Sequence, residues 1–254
     1  DNKKILLTGA RGFLGKNLLK KLIKMNFNVL EGDIQKRDNS IFLYDDFELS
    51  SFDLVVHLGA SSSRYDDPNL IFEKNILLTN RIFQEAAKVG TKVIFISANS
   101  IINNLDGELI NEFTQPSPID LYSSSKLLGE YLLKEYVVKK NRKTIRLPSI
   151  YGDKSKNKGL IQNLIKNLKN NDDIEIKDKD SLFNNAAMLE DVSEFILNLI
   201  INFNKVNEDF FVLGSKESMS FENIVFYLKE RCQSKSNIIY KNNKKNLNKN
   251  YMLD

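Results

Sequence analysis

The stretch Thr8-Gly9-Ala10-Arg11-Gly12-Phe13-Leu14-Gly15 constrains the fold more than any other part of the chain. An apolar run, Ile5-Leu6-Leu7, leads into it, and Leu14, Leu18, Leu19, Leu22 and Ile23 follow on one helical face. The glycines therefore sit in a strand-to-helix turn, the context that lifts a glycine pattern above coincidence. Gly9 permits the tight turn, Gly12 lets backbone approach a pyrophosphate, and Gly15 lets the helix pack closely on the strand, while the helix N-terminus favours the anion. Gly9, Arg11, Gly12, Phe13, Leu14 and Gly15 are accordingly assigned to a dinucleotide cofactor.

Apolar runs and amphipathic helices alternate through the first half. Further strands fall at Val29-Leu30, Ile41-Phe42-Leu43, Leu54-Val55-Val56, Val93-Ile94-Phe95-Ile96 and Thr144-Ile145. A second helix starts at Pro68, carries Leu70, Leu77, Leu78, Ile82 and Phe83 on its buried face, and ends at Gly90. This is the pattern of a parallel sheet covered on both faces, a doubly wound α/β fold of Rossmann type. After Gly152 the pattern is less regular, with helices near 160–168, 189–203 and 221–232 and strands near 174–176 and 210–213. The reading is a nucleotide-binding domain over residues 1–152 and a smaller α/β substrate-binding lobe over 153–254 that returns some elements to the main sheet.

An acid at the end of the second strand, about 20 residues past the turn, grips the adenosine ribose in such folds, and Asp33 stands there. A carboxylate accepts from both ribose hydroxyls and repels a 2′-phosphate, so NAD is the expected cofactor. NADP is kept as the alternative because Arg11, Lys36 and Arg37 are able to neutralise a phosphate. One His and one Cys leave no metal site of those ligands and no disulfide, and Cys232 alone suits a reducing, cytosolic setting. No apolar run approaches the roughly 18 residues of a membrane span. The net charge of +4 gathers in a Lys/Asn tail without interleaved aromatics, which argues against nucleic-acid binding.

Tyr122-Ser123-Ser124-Ser125-Lys126 sets a phenol and an ammonium four residues apart, on one face of a helix. A phenol with a pKa of about 10 is a poor base near neutrality, and a neighbouring cation lowers it by favouring the phenolate. Tyr122 is then able to exchange the proton of a carbinol while a nicotinamide carries the hydride.

Together with Asp53-Leu54-Val55-Val56-His57-Leu58-Gly59-Ala60, Asn75-Ile76-Leu77-Leu78-Thr79, Arg146-Leu147-Pro148-Ser149-Ile150-Tyr151-Gly152 and Asn184-Asn185-Ala186-Ala187-Met188-Leu189-Glu190-Asp191-Val192, the glycine block resembles the extended short-chain dehydrogenase/reductase family nearly end to end. That is the family of nucleotide-sugar epimerases, dehydratases and ketoreductases. The resemblance implies that Leu58, Gly59, Ala60, Asn75 and Pro148 border the cofactor, and that Asp45 or Asp46 receives the adenine amino group. It also implies that Lys126 holds the nicotinamide ribose and that Ser62, Ser63 and Ser149 face the substrate. The helices at 68–88 and 120–140 resemble a family four-helix dimer interface, which implies a homodimer. A strand-end histidine beside small residues reads as structural, so His57 receives no role.

The family places a Ser or Thr beyond the fifth strand to bond the reacting oxygen. Here the segment is Phe95-Ile96-Ser97-Ala98-Asn99-Ser100, and either Ser97 or Ser100 is the candidate, with Asn99 as a neutral donor instead. Family dehydratases carry an Asp-Glu pair directly afterwards; Asn99 and Ser100 cannot ionise, so dehydration is not expected. An epimerase acting through a transient ketone is the leading expectation, with a 4-ketoreductase as the alternative and a non-catalytic cofactor-binding protein behind both. A nucleotide sugar is the expected substrate. Lys154, Lys156, Lys158 and Lys166 would attract its diphosphate, unless they form only a solvated face.

Overall fold

In the computed structural model the described residues are 3–35, 40–45, 47–61, 65–102, 109–152, 159–177, 179, 182–183, 185–215, 218–241 and 252–253. The chain divides into two compact units, each assembled from separate stretches. The first comprises Asp1–Asn103, Pro116–Leu147 and Leu189–Val212; the second comprises Asn104–Gln115, Pro148–Met188 and Leu213–Asp254.

The first unit is built on a parallel sheet. Its strands are β1 (Lys4–Thr8), β2 (Asn28–Asp33), β3 (Ser40–Phe42), β4 (Leu54–His57), β5 (Lys92–Ala98), β6 (Arg142–Leu147) and β7 (Phe210–Val212). Their order is β7-β6-β5-β4-β1-β2-β3, all neighbours running in parallel. The order reverses between β1 and β4, and the carboxyl ends of those two strands, Thr8 and His57, face each other in register. A crevice at such a switch point is where doubly wound sheets take ligands. Ile5, Leu6, Leu7, Val55 and Val56 are wholly buried, as unbroken apolar strands covered on both faces must be.

Helix α1 (Phe13–Lys24) buries Leu18 and Leu22, and the chain leaves it through Asn26 in the left-handed conformation at φ 58°. Ile23, expected on the buried face, is 58% exposed, because it lies a further 100° round the helix from Leu22. Helix α2 (Pro68–Ile71) is capped by the Asp67 carboxylate, which accepts from the Asn69 N–H, with proline at its first position. A π-helical turn (Phe72–Leu77) joins it to α3 (Leu78–Val89), which ends at Gly90 with φ 77°. The expectation that Leu77 shares a buried face with Leu78, Ile82 and Phe83 fails. Leu77 is 52% exposed, since the wider turn shifts the helical register and gives Asn75 the inward place.

Helix α4 (Leu121–Tyr136) packs on β5 through Gly129, where a Cβ would come within 2.6 Å of the Phe95 ring. Leu133, Val137, Phe83, Ile82 and Phe95 join Leu6 and Val55 in one cluster between the sheet and these helices. Helix α5 (Leu189–Ile201) and β7 complete the unit.

Among its described residues the second unit holds helices Leu160–Asn170 and Phe221–Arg231 and four two-stranded pairings. Ser149–Tyr151 pairs with Ala186–Met188, and Ile174–Ile176 with Ile238–Tyr240, both in parallel. Its own core gathers Leu164, Leu168, Ile174, Ile176, Ile224 and Val225.

Candidate active site

The turn after β1 is shaped by what glycine alone allows. Gly9 lies at φ 67°, where side chains are strained, and a Cβ on it would meet the Gly59 nitrogen at 2.7 Å. A Cβ on Gly15 would meet the Gly9 carbonyl oxygen at 2.1 Å, so α1 can begin this close to β1 only without a side chain there. Gly12 donates its N–H to Gly9 O at 2.9 Å and caps α1 without a side chain of its own. The first-turn N–H groups and the helix dipole are thus directed at whatever anion sits on the turn.

Behind the turn a chain of hydrogen bonds ties three elements together. Thr8 Oγ1 accepts from Gly59 N at 3.0 Å and lies 2.7 Å from His57 Nδ1, while His57 Nε2 is 2.9 Å from Thr79 Oγ1. Burial, with the Lys126 charge adding, holds the imidazole pKa down at about 3. His57 is therefore a neutral bridge between β1, β4 and α3.

In front of the turn lies a cleft bordered by Gly9, Gly12, Gly59 and Ala60 and by Glu31 and Asp33. Arg11 reaches across it. Its Nε is 3.0 Å from Glu31 Oε2 and 3.2 Å from Asp33 Oδ2, and the Gln35 N–H donates to Asp33 Oδ1 at 3.1 Å. Glu31 was not expected here, yet it is two residues before Asp33 on the same strand, and strand alternation puts both on one face. Its Oε2 is enclosed and faces the guanidinium without a well-angled hydrogen bond. An enclosed carboxylate oxygen suits the ribose hydroxyls of a dinucleotide, and the glycine cradle beside it suits the phosphates.

The other expected cofactor residues are distributed as follows. Phe13 and Leu14 are half-buried at the start of α1 and Leu58 is half-buried beside Gly59, none of the three bordering the cleft. Asp45 is exposed beyond β3, and its carbonyl oxygen accepts from Arg81 at 2.6 Å. Asp46, Ser62 and Ser63 fall outside the described residues, as do Lys36, Arg37, Lys154, Lys156 and Lys158. Pro148, buried, and Ser149, exposed, belong to the second unit.

Asn75 turns inward from the π-helical turn. Its Oδ1 accepts from Ser61 N at 2.7 Å, and its Nδ2 donates to Ser61 O and to Ser125 Oγ, each at 3.0 Å. With its amide engaged by protein groups, Asn75 fixes the chain beyond β4 against α4.

Helix α4 carries Tyr122 and Lys126 one turn apart. Asp120 caps it, accepting from Ser123 N at 2.8 Å, and Ser125 donates to the Tyr122 carbonyl at 2.6 Å. Tyr122 is half-buried. Lys126 is buried, donates to Ile96 O at 2.9 Å and stands 5.1 Å over the Phe95 ring. Burial brings its pKa down to about 8, against the opposing charge of Glu130.

The two hydroxyl candidates part company. Ser97 Oγ donates to Glu130 Oε1 at 2.6 Å, and Glu130 is also held by Arg146, whose Nε and Nη2 each donate at 2.8 Å. Ser97 is 2% exposed, so it belongs to a buried ion-pair cluster and not to an open site. Ser100, half-buried in the 3-10 turn after β5, accepts from Ser123 Oγ at 3.0 Å, next to Tyr122 in sequence. Glu130 is a residue the sequence reading missed, though it follows Lys126 by one helical turn. Among the described residues no cluster of His, Cys, Asp and Glu could hold a metal, and no helix is long and apolar enough to cross a membrane.

The sequence model of the NAD dependent epimerase/dehydratase family matches residues 5–214. The chain belongs to that family. It is therefore a member of a group whose cofactors are nicotinamide dinucleotides, and the glycine turn with its cleft lies inside the matched region. Among family relatives, the chain is 30% identical over 177 residues to D-erythronate dehydrogenase of Haemophilus influenzae, covering 58% of this chain and 55% of the relative. It is 27% identical over 255 residues to CDP-abequose synthase of Salmonella muenchen, covering 94% and 84%. The chain spans about half the length of most of the curated relatives it matches. A similar structure is UDP-N-acetylglucosamine 4-epimerase of Methanobrevibacter ruminantium in complex with UDP-N-acetylmuramic acid. The TM-score is 0.80 at 18% identity, covering 100% of this chain and 90% of that one, a likeness of fold.

Proposed function

We propose that this protein is an NAD-dependent epimerase of a nucleotide sugar, acting through a transient ketone at a ring carbon. The observation that carries the reading is Lys126, buried and pinned to Ile96 O one helical turn from Tyr122, with the glycine turn in the same unit. A nicotinamide bound on that turn supplies hydride transfer to and from the sugar carbon. The Tyr122 phenolate, favoured by the Lys126 charge, takes the carbinol proton as the alcohol is oxidised and returns it when the ketone is reduced on its other face. An ammonium has three donors and Ile96 O engages one, which leaves donors for the phenolate and for a ribose hydroxyl. Ser100 is the hydroxyl we assign to the reacting oxygen, because Ser97 is committed to Glu130. No ionisable pair follows Ala98, the residues there being Asn99 and Ser100, and this favours epimerisation over loss of water.

NAD is favoured over NADP by the two carboxylates, Glu31 and Asp33, which share Arg11. A one-way 4-ketoreductase is the second reading. It is supported by the short path from Asp33 to Asp53, where the described residues form one three-residue strand and no helix. Purified protein separates the two: an epimerase returns the hydride from its cofactor to the sugar and so has no need to exchange that cofactor, whereas a reductase must. Tyr122→Phe should lower turnover of nucleotide sugars at least about a hundredfold; unchanged turnover across tested sugar nucleotides sinks the mechanism. We further assign a homodimer through the π-helical turn with α3 and the adjacent α4, where Leu77, Leu128 and Tyr131 are 52%, 38% and 54% exposed.

A further inference from the structure

Glu31 is placed where the sequence reading put a single acid, Asp33, and it changes what Arg11 can do. An arginine inside the glycine turn is well placed to take a 2′-phosphate, since its planar fork matches phosphate oxygens. Here that guanidinium lies between two carboxylates, at 3.0 Å from Glu31 and 3.2 Å from Asp33. Glu31 and Asp33 are 25% and 15% exposed, against 50% for Arg11, so the acids form the wall and the arginine is the part facing solvent. Three charged groups thus sum to −1 at the mouth of the cleft, whereas Arg11 with Asp33 alone would sum to zero. Lys74 also borders the cleft, from the π-helical turn.

We propose that Glu31 is a determinant of cofactor choice equal to Asp33: it captures Arg11, withholds it from a 2′-phosphate, and presents its enclosed Oε2 to the adenosine ribose. This rests on the proposed dinucleotide site. Removing Glu31 should release Arg11 toward an NADP-type cofactor even while Asp33 remains, and the gain should require Arg11.

The test is a fluorescence titration of the purified full chain with NADH and with NADPH, which reads binding and needs no sugar substrate. The variants are Glu31→Gln, the smaller Glu31→Thr, and Glu31→Gln combined with Arg11→Ala, each checked for folding by its circular dichroism melt. Wild type should prefer NADH. Either Glu31 variant should move the NADPH-to-NADH affinity ratio upward by roughly tenfold, and the added Arg11→Ala should cancel that gain. If folded Glu31 variants keep the wild-type ratio, or if the gain survives loss of Arg11, the proposal is overturned. A wild-type chain that binds NADH and prefers it leaves the cofactor site intact in that event. Failure of wild type to bind either nucleotide would overturn the site itself and this proposal with it.

Discussion

Lys126 lives at odds with its surroundings. Burial alone would strip its proton, and the Glu130 carboxylate, fixed by Arg146 and Ser97, is what keeps the pKa as high as about 8. Below that pH the ammonium is present and able to favour a Tyr122 phenolate; above it the charge is lost. Turnover should therefore decline as pH rises through about 8. Glu130→Gln removes the opposing charge, so the decline should begin at lower pH, which a pH profile of kcat/KM on the two proteins would detect. An unmoved profile would mean that Glu130 serves only packing. The same lysine explains what could and could not be read from residues alone. Tyr122 and Lys126 were legible because helical spacing fixes their common face. Glu130 has the same spacing from Lys126, but its value depends on Arg146 arriving from β6, a strand neighbour that no local pattern reveals. Ser97 and Ser100 were inseparable for a similar reason, since only the end of β5 decides which hydroxyl meets Ser123 and which meets Glu130.

The elements that set this geometry are close-packed to a degree that leaves little room for repair. Gly129 lets α4 lie on the Phe95 ring, itself wedged against His57 and Phe83 at centroid distances of 5.8 and 5.3 Å. Gly129→Ala would gain about 1 kcal/mol in helix propensity, whereas forcing a methyl into packed rings costs about 1–3 kcal/mol. The second effect should win, lowering the denaturation midpoint. Because α4 would lift from β5 at the level of Ile96, turnover should fall further than stability does, which parallel melts and assays can establish. The strands and the glycine turn were legible in the apolar pattern, and α4 in the spacing of Tyr122 and Lys126 and in the family resemblance. The π-helical turn was not, because one extra residue in a helix leaves no mark in composition, and Leu77 was consequently placed on the wrong face. The same turn sends Asn75 in and Leu77 out, so one irregularity serves both the site and the surface.

For the whole molecule, that surface leads to an expectation about assembly. Leu77 and Tyr131 leave apolar area on adjacent helices, and Leu77→Glu with Tyr131→Glu should shift the proposed dimer to a monomeric mass by light scattering without lowering the melting temperature appreciably. A monomeric wild type at high concentration would remove the dimer. The order in which the chain visits its units has a different kind of consequence. Thr144 of β6 pairs with Phe210 of β7, and the whole of the second unit's middle stretch, Pro148–Met188, lies between them in sequence. During synthesis the flank of β6 therefore stays open until the ribosome has passed Val212, with unpaired backbone groups available to any other strand. A stop codon just before α5 would yield a nascent sheet whose edge is never closed, so fragments ending near residue 188 are poor vehicles for isolating the nucleotide-binding half.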